Sequence, residues 1–156
     1  MVQVEQERPS LGAPPQGFVW ATLLLALAGL AVAAYLSYEH LTSSTSLACP
    51  DTGAINCVKV TTSRYSSVLG IPVAYLGLAF YLAMALLTLP ALWASPRRTV
   101  RNLRLTAASS GILFVLYLVW AELFGVDAIC LWCTAVHVIT LALFACVLSA
   151  EALRTR

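Results

Sequence analysis

The chain has 156 residues, of which 60% are hydrophobic and only 10% are charged, and its formal net charge is +2. A soluble domain typically carries about 25% charged residues, so this composition excludes an ordinary soluble protein and indicates a multi-pass membrane protein. The small net charge, with no basic run mixed with aromatic residues, excludes a nucleic-acid-binding surface.

Residues 1–17 hold three prolines, two glycines and charges of both signs, which is typical of a disordered tail. The apolar segment that follows, residues 18–40, is long enough to cross a bilayer core, which takes about 20 helical residues. A cleaved signal peptide is the alternative, because the AVA sequence at 31–33 resembles a cleavage site. The acidic leader and the length of the apolar run favour a retained helix.

Residues 41–70 form the one long polar loop, which is rich in Ser and Thr and contains Cys49 and Cys57. Apolar residues within 60–69 have helical spacing, which predicts a short amphipathic helix lying on the membrane surface.

Three further apolar segments complete an all-α bundle of four transmembrane helices. The predicted crossings are residues 71–93, 105–124 and 128–150, separated by a basic loop at 94–104 and a turn at 125–127, with a short tail at 151–156.

Seven of the nine cationic residues lie in the two tails or in the loop 94–104, whereas Lys59 and Arg64 lie in the long loop. Because cytoplasmic segments carry the excess of Lys and Arg, we expect both termini to be cytoplasmic in the cell inner membrane. Four cysteines, two in the long loop and two at the start of the fourth crossing, then face the extracytoplasmic side, where disulfides form and persist.

The sequence CLWCTAVH at 130–137 places Cys130, Cys133 and His137 on one face of a helix. A helix N-terminus and a neighbouring thiol both favour a thiolate near neutral pH, so the pair suits electron transfer. Packing of two small cysteines in a helix interface is the alternative, and Cys146, on a different face, is interpreted as a packing residue.

The loop pair and the helix pair together suggest thiol–disulfide exchange, in which a mobile loop delivers one thiolate to a fixed disulfide. A zinc site is the first alternative, but seven residues separate the loop cysteines, more than in the short knuckles of structural zinc sites. Static structural disulfides are the second alternative.

The loop sequence CPDTGAINCVKVTTSRY, followed by GIPVAYLG and later by CLWC, resembles the vitamin K epoxide reductase family over about residues 18–150. It is most similar to bacterial members without a fused thioredoxin-like domain. The resemblance implies a four-helix bundle around a quinone of the menaquinone, ubiquinone or vitamin K type, with the loop closing over it.

By the same resemblance, Cys49 and Cys57 are the shuttle pair, and Cys130 and Cys133 are the active-site pair. Cys49 would meet a separate thioredoxin-fold (DsbA-like) protein, since the chain ends at residue 156. Cys57 would exchange with Cys130, and Cys133 would lie against the quinone drawn from the membrane pool.

Three further residues are candidates for the quinone site. Ser63 matches the family's loop Ser/Thr, although a solvated hydroxyl is the alternative. Val73 stands where animal enzymes carry a quinone-binding Asn, and His137 stands where they carry a Tyr. His137 is a candidate hydrogen-bond donor to the quinone, with a helix-packing role as its alternative.

These two departures favour a quinone reductase that generates disulfides over an enzyme that reduces vitamin K epoxide. Epoxide reduction remains an alternative, as does a non-enzymatic protein that uses the cysteines for metal binding or for static disulfides. A disulfide oxidase of the DsbB kind is disfavoured, because there the Cys-x-x-Cys precedes the spaced pair.

Overall fold

The protein is an all-α bundle in the computed structural model, which describes residues 14–42, 48–49 and 52–154. Of the tail predicted at 1–17, residues 1–13 lie outside the described residues, as do residues 155–156, whereas its last two residues are already helical because α1 begins at Gln16. In chain order the elements are α1 Gln16–Thr42, α2 Cys57–Thr61, a 3-10 turn Arg64–Ser66, strands β1 Ser67–Val68 and β2 Ile71–Pro72, α3 Val73–Leu87, α4 Pro90–Trp93, α5 Arg98–Trp120, a π-helical turn Ala121–Val126 and α6 Leu131–Arg154.

Three stretches are long and apolar enough to cross a membrane: α1, α5 with its π-helical turn, and α6. The shorter apolar helix α3 packs with them. Large apolar side chains such as Leu24, Leu113 and Phe124 are exposed on the outside of the bundle. An apolar outer surface of this extent suits lipid rather than water, so the chain is an integral membrane bundle.

The core forms where α1 and α3 approach each other closely at Gly29. The Tyr81 ring of α3 lies directly over this glycine. The Tyr81 hydroxyl continues to α6, where it donates to the Val136 carbonyl at 3.0 Å and lies 2.7 Å from the Thr140 hydroxyl. One fully buried side chain therefore joins three helices, and small residues permit the close approach.

Gly29→Ala should lower the free energy of unfolding by about 1–3 kcal/mol, because the new methyl group would overlap the Tyr81 ring. Gly77→Ala is the matched control, since its methyl group would meet Ala33 at an ordinary 3.8 Å. Thermal unfolding in detergent measures both. A Gly29→Ala protein as stable as the Gly77→Ala protein would contradict this packing.

The predicted second crossing, residues 71–93, is not one helix. Its first two residues belong to β2, and α3 ends at Leu87 before α4 begins at Pro90. Proline has no backbone N–H and its ring clashes with the preceding turn, so the helix cannot continue through this position. The crossing is thus a 15-residue helix followed by a short second helix.

The third and fourth crossings also differ from their predicted bounds. The predicted basic loop 94–104 is largely helical, because α5 begins at Arg98, and arginine is a good helix former. The predicted turn 125–127 is the end of a π-helical turn, closed by Asp127 in the left-handed region at φ 53°. Helix α6 begins three residues later than predicted and continues to Arg154.

The loop helix starts earlier and is shorter than the 60–69 predicted for it. The Asn56 side chain accepts a hydrogen bond from the Lys59 backbone N–H at 2.8 Å, which caps α2 at its start. A tight hairpin then pairs β1 with β2. Its two turn residues, Leu69 and Gly70, both have positive φ, as a type I′ turn requires, and this ends any helix.

A buried ion pair holds the end of the bundle opposite the long loop. Arg104 of α5, fully buried, lies 2.7 Å from the Glu151 carboxylate of α6 and 3.5 Å from the centre of the Trp93 ring. It also donates to the carbonyls of Leu87 and Leu92, on either side of the break between α3 and α4. The interrupted crossing is therefore fixed to both neighbouring helices by one guanidinium.

Candidate active site

The long loop is held against the start of α6 by backbone pairing. Ile55 and Ile129 form a parallel bridge, in which the Asn56 N–H donates to the Ile129 carbonyl at 3.0 Å and the Ile129 N–H donates to the Ala54 carbonyl at 2.9 Å. Cys57 lies two residues after Ile55, and Cys130 lies directly after Ile129. We call it the loop–helix bridge, and it brings both cysteine-bearing segments to the same end of the bundle.

The loop cysteines form a disulfide, Cys49–Cys57, with Cα atoms 6.1 Å apart. The residue before Cys49 is anchored separately, since the Trp132 indole donates to the Ala48 carbonyl at 3.1 Å and the Ala48 N–H donates to the Tyr35 hydroxyl at 3.4 Å. Both ends of the disulfide are therefore positioned over the start of α6.

Cys130 and Cys133 are free thiols. Cys130 lies just before α6 and caps it, because its sulfur accepts a hydrogen bond from the Cys133 backbone N–H at 3.3 Å. Hydrogen bonding from the Cys133 side chain, and more weakly from that N–H, lowers the pKa of the Cys130 thiol despite its burial. This is the electrostatic setting of a reactive cysteine at a helix N-terminus.

A cavity of about 700 Å³ lies beneath the loop, between α1, α3, α5 and α6. Its volume is in the range of small-molecule sites, about 300–1,000 Å³. Most of its wall is apolar, with Phe80 and Phe114 among the lining side chains, and Cys133 lines it whereas Cys130 does not. Of the two free thiols at this end, only Cys133 can therefore touch a ligand in the cavity.

The three other predicted ligand residues also line this cavity. His137 is buried, and its Nε2 has no hydrogen-bond partner among the described residues. Ser63 donates to the Val60 carbonyl at 2.8 Å, and Val73 contributes an apolar surface at the first residue of α3. His137 therefore lines the cavity with a buried polar nitrogen that has no partner among the described residues, which is an unfavourable arrangement without a ligand or a ring movement.

Sequence reasoning did not single out Glu122, which the structure places beside the thiols. Glu122 is buried, with 7% of its surface exposed, it lines the same cavity as Cys133, and its carboxyl group is near enough to interact with the Cys133 side chain and the Cys130 backbone. The sequence could have indicated this residue, because Glu122 is ionisable and lies within the predicted third crossing. Ionisable residues in a membrane segment are functional candidates by default.

The fifth cysteine, Cys146, is a free, half-buried thiol of α6 that does not line the cavity. Over the described residues, no group of three or more His, Cys, Asp or Glu side chains has the arrangement of a metal site.

The sequence model of the vitamin K epoxide reductase family matches residues 20–148, which covers most of α1, the whole loop, α3, α5 and most of α6. A comparison with individually curated proteins gave no significant match.

Proposed function

The chain belongs to the vitamin K epoxide reductase family, and we propose that it is a quinone-dependent thiol oxidoreductase that generates disulfides in a partner protein. Membership makes it a membrane redox protein of the thiol–disulfide oxidoreductase kind. The finer assignment depends chiefly on one observation, the loop–helix bridge. It holds the segments of Cys57 and Cys130 together at the mouth of a cavity that Cys133 lines.

The cavity fits a quinone in three respects. It has the volume of a small-molecule site, its wall is mostly apolar, and one polar ring, that of His137, is among the lining side chains. We propose that Cys133 and His137 hold the quinone ring, with Ser63 and Val73 on the loop side. A quinone bound there supplies an acceptor for two electrons and two protons.

In the proposed relay, a thiolate of the reduced partner attacks the Cys49–Cys57 disulfide at Cys49, and the partner's second thiol resolves the mixed disulfide. The freed Cys57 thiolate then attacks the Cys130 sulfur of an oxidised Cys130–Cys133 pair, which releases Cys133. Attack of Cys49 on Cys57 restores the loop disulfide and leaves both active-site thiols reduced. That final arrangement, a loop disulfide with two free thiols, is the one observed.

We propose that the partner is a separate thioredoxin-fold protein and that the exchange occurs on the extracytoplasmic side of the cell inner membrane. The support is the charge distribution, because Arg97, Arg98 and Arg101 lie at the end of the bundle remote from the thiols. Cys49 is half-buried whereas Cys57 is buried, so Cys49 is the more accessible member of the loop disulfide.

The direct test supplies the purified protein with a reduced thioredoxin-fold protein and a quinone, and measures partner disulfide formation together with quinone reduction. We expect both, in equal amounts, and neither when the quinone is left out. Disulfide formation that does not depend on the quinone would contradict the assignment. Supplying the quinone epoxide instead tests epoxide reduction as the alternative activity.

The order of the relay is tested by the double variant Cys49→Ala/Cys133→Ala, which keeps only Cys57 and Cys130 at the site. Mild oxidation should join these two in a disulfide, because the loop–helix bridge holds their segments together. The matched control is Cys49→Ala/Cys130→Ala, in which Cys57 and Cys133 should join poorly. Equal yields from the two variants would contradict the proposed order.

A further inference from the structure

Among the described residues, Glu122 is the one buried carboxyl group that lines the cavity together with Cys133. Its carboxyl group interacts with the Cys133 side chain and the Cys130 backbone. Both Glu122 and Cys133 line the cavity, so the carboxyl group lies on the side of Cys133 from which a ligand would be reached. Burying a carboxyl group in a membrane helix is costly, which makes a purely incidental placement unfavourable.

The backbone at Glu122 departs from a regular α-helix. The helix widens into the π-helical turn Ala121–Val126, and the turn closes where the Ala128 N–H donates to the Glu122 carbonyl at 3.2 Å. Such turns occur mostly as short insertions, frequently at functional sites. The Tyr65 ring packs against Gly125, where any side chain would collide with it, so the loop also covers this turn.

Other titratable groups face the same cavity without replacing Glu122. They are Cys133 and His137 from α6, Tyr65 from the loop, Tyr81 from α3, and Glu39 and His40 from α1. The two cations of the loop are engaged elsewhere, since Lys59 donates to the Asp127 carbonyl at 3.3 Å and Arg64 donates to the Tyr65 hydroxyl at 2.6 Å. Among the described residues, Glu122 is the carboxyl group that interacts with the Cys133 thiol.

We infer that Glu122 is the catalytic proton carrier of Cys133, an inference that rests on the proposed function. When Cys57 attacks Cys130, the S–S bond to Cys133 breaks and Cys133 leaves as a thiolate. The protonated Glu122 gives it a proton and becomes a carboxylate. When the Cys130–Cys133 dithiol later gives up two electrons to the quinone, the same carboxylate takes the proton back from Cys133.

The proton balance closes over one turnover. Glu122 moves one proton out and back and ends in the state in which it began. The partner dithiol releases two protons and two electrons, which match the two of each that the quinone takes up. No other oxidant or reductant is needed.

The first test needs neither quinone nor partner. Infrared difference spectra of the purified protein, taken between its chemically reduced and oxidised forms, should contain a carboxyl band that disappears in Glu122→Gln. The control Asp127→Asn removes an exposed carboxylate five residues away, and asparagine tolerates the left-handed conformation at that position. It should leave the band unchanged. A parent spectrum without a carboxyl band would overturn the inference, whatever the variants do.

The second test measures turnover in the quinone assay. Glu122→Gln should lower the turnover number by about 10²-fold, the effect typical of losing a general acid–base group. Glu122→Asp should recover part of it, which a loss of packing alone would not allow. Turnover of Glu122→Gln within about twofold of the parent would overturn the inference. Failure of the proposed function would differ, because the parent itself would then show no quinone-dependent oxidation.

Discussion

Cys133→Ala should reduce quinone-dependent thiol oxidation by about 10⁴-fold or more, the order of effect expected when a residue that forms covalent bonds in the reaction is removed. Cys133 is the free thiol that lines the cavity at the loop end of α6, and Cys130 next to it does not. Without it, electrons that reach Cys130 have no second sulfur with which to form a disulfide. The measurement is quinone reduction with the reduced partner in excess.

The matched control for this loss is Cys146→Ala. Cys146 is also a free thiol of α6, but it lies outside the cavity, so its removal should leave turnover unchanged. Equal losses of activity in Cys146→Ala and Cys133→Ala would contradict an active site at the Cys133 end of α6.

Arg104→Met should lower the free energy of unfolding by about 3–5 kcal/mol, the cost of leaving one partner of a buried ion pair without the other. Glu151 would keep a buried carboxylate, and the carbonyls of Leu87 and Leu92 would each lose a donor. The free energy of unfolding in detergent micelles, from titration with a denaturing detergent, measures the effect.

The double variant Arg104→Met/Glu151→Met separates the causes of this loss. Replacing both members of a buried pair by apolar residues is often close to neutral, so the double variant should recover most of the stability. A double variant as unstable as Arg104→Met would show instead that the carbonyl bonds and the Trp93 contact hold this end together.

Local pattern was sufficient for the bundle and for the thiols. The apolar lengths predicted the helices, and the spacing of Cys133 and His137 predicted that they lie on one side of α6, because both depend only on helical geometry. Cys130 was also placed on this face, but it lies before the first residue of α6 and does not line the cavity. The family resemblance, which the family match confirms, added the loop pair and the quinone cavity as expectations. What these predictions share is that each depends on residues close together in the chain or on a motif.

The features that were missed depend on distant contacts. Arg104 was interpreted as part of a basic loop, yet its partner Glu151 lies 47 residues away and makes its burial tolerable. The π-helical turn that contains Glu122 is covered by Tyr65 of the loop, about 60 residues earlier in the chain, and no local periodicity indicates it. The early start of α2 is the exception, because it depends on a local side-chain cap from Asn56 to Lys59.

The loop–helix bridge changes how an exchange between Cys57 and Cys130 should be regarded kinetically. A thiol on a freely moving 30-residue loop would meet its target at an effective concentration in about the millimolar range. The segments that carry Cys57 and Cys130 are instead already paired through their backbones. Reactions between groups held in this way reach far higher effective molarities. External small thiols would then compete poorly with the protein's own sulfur, and electrons would be kept on one route.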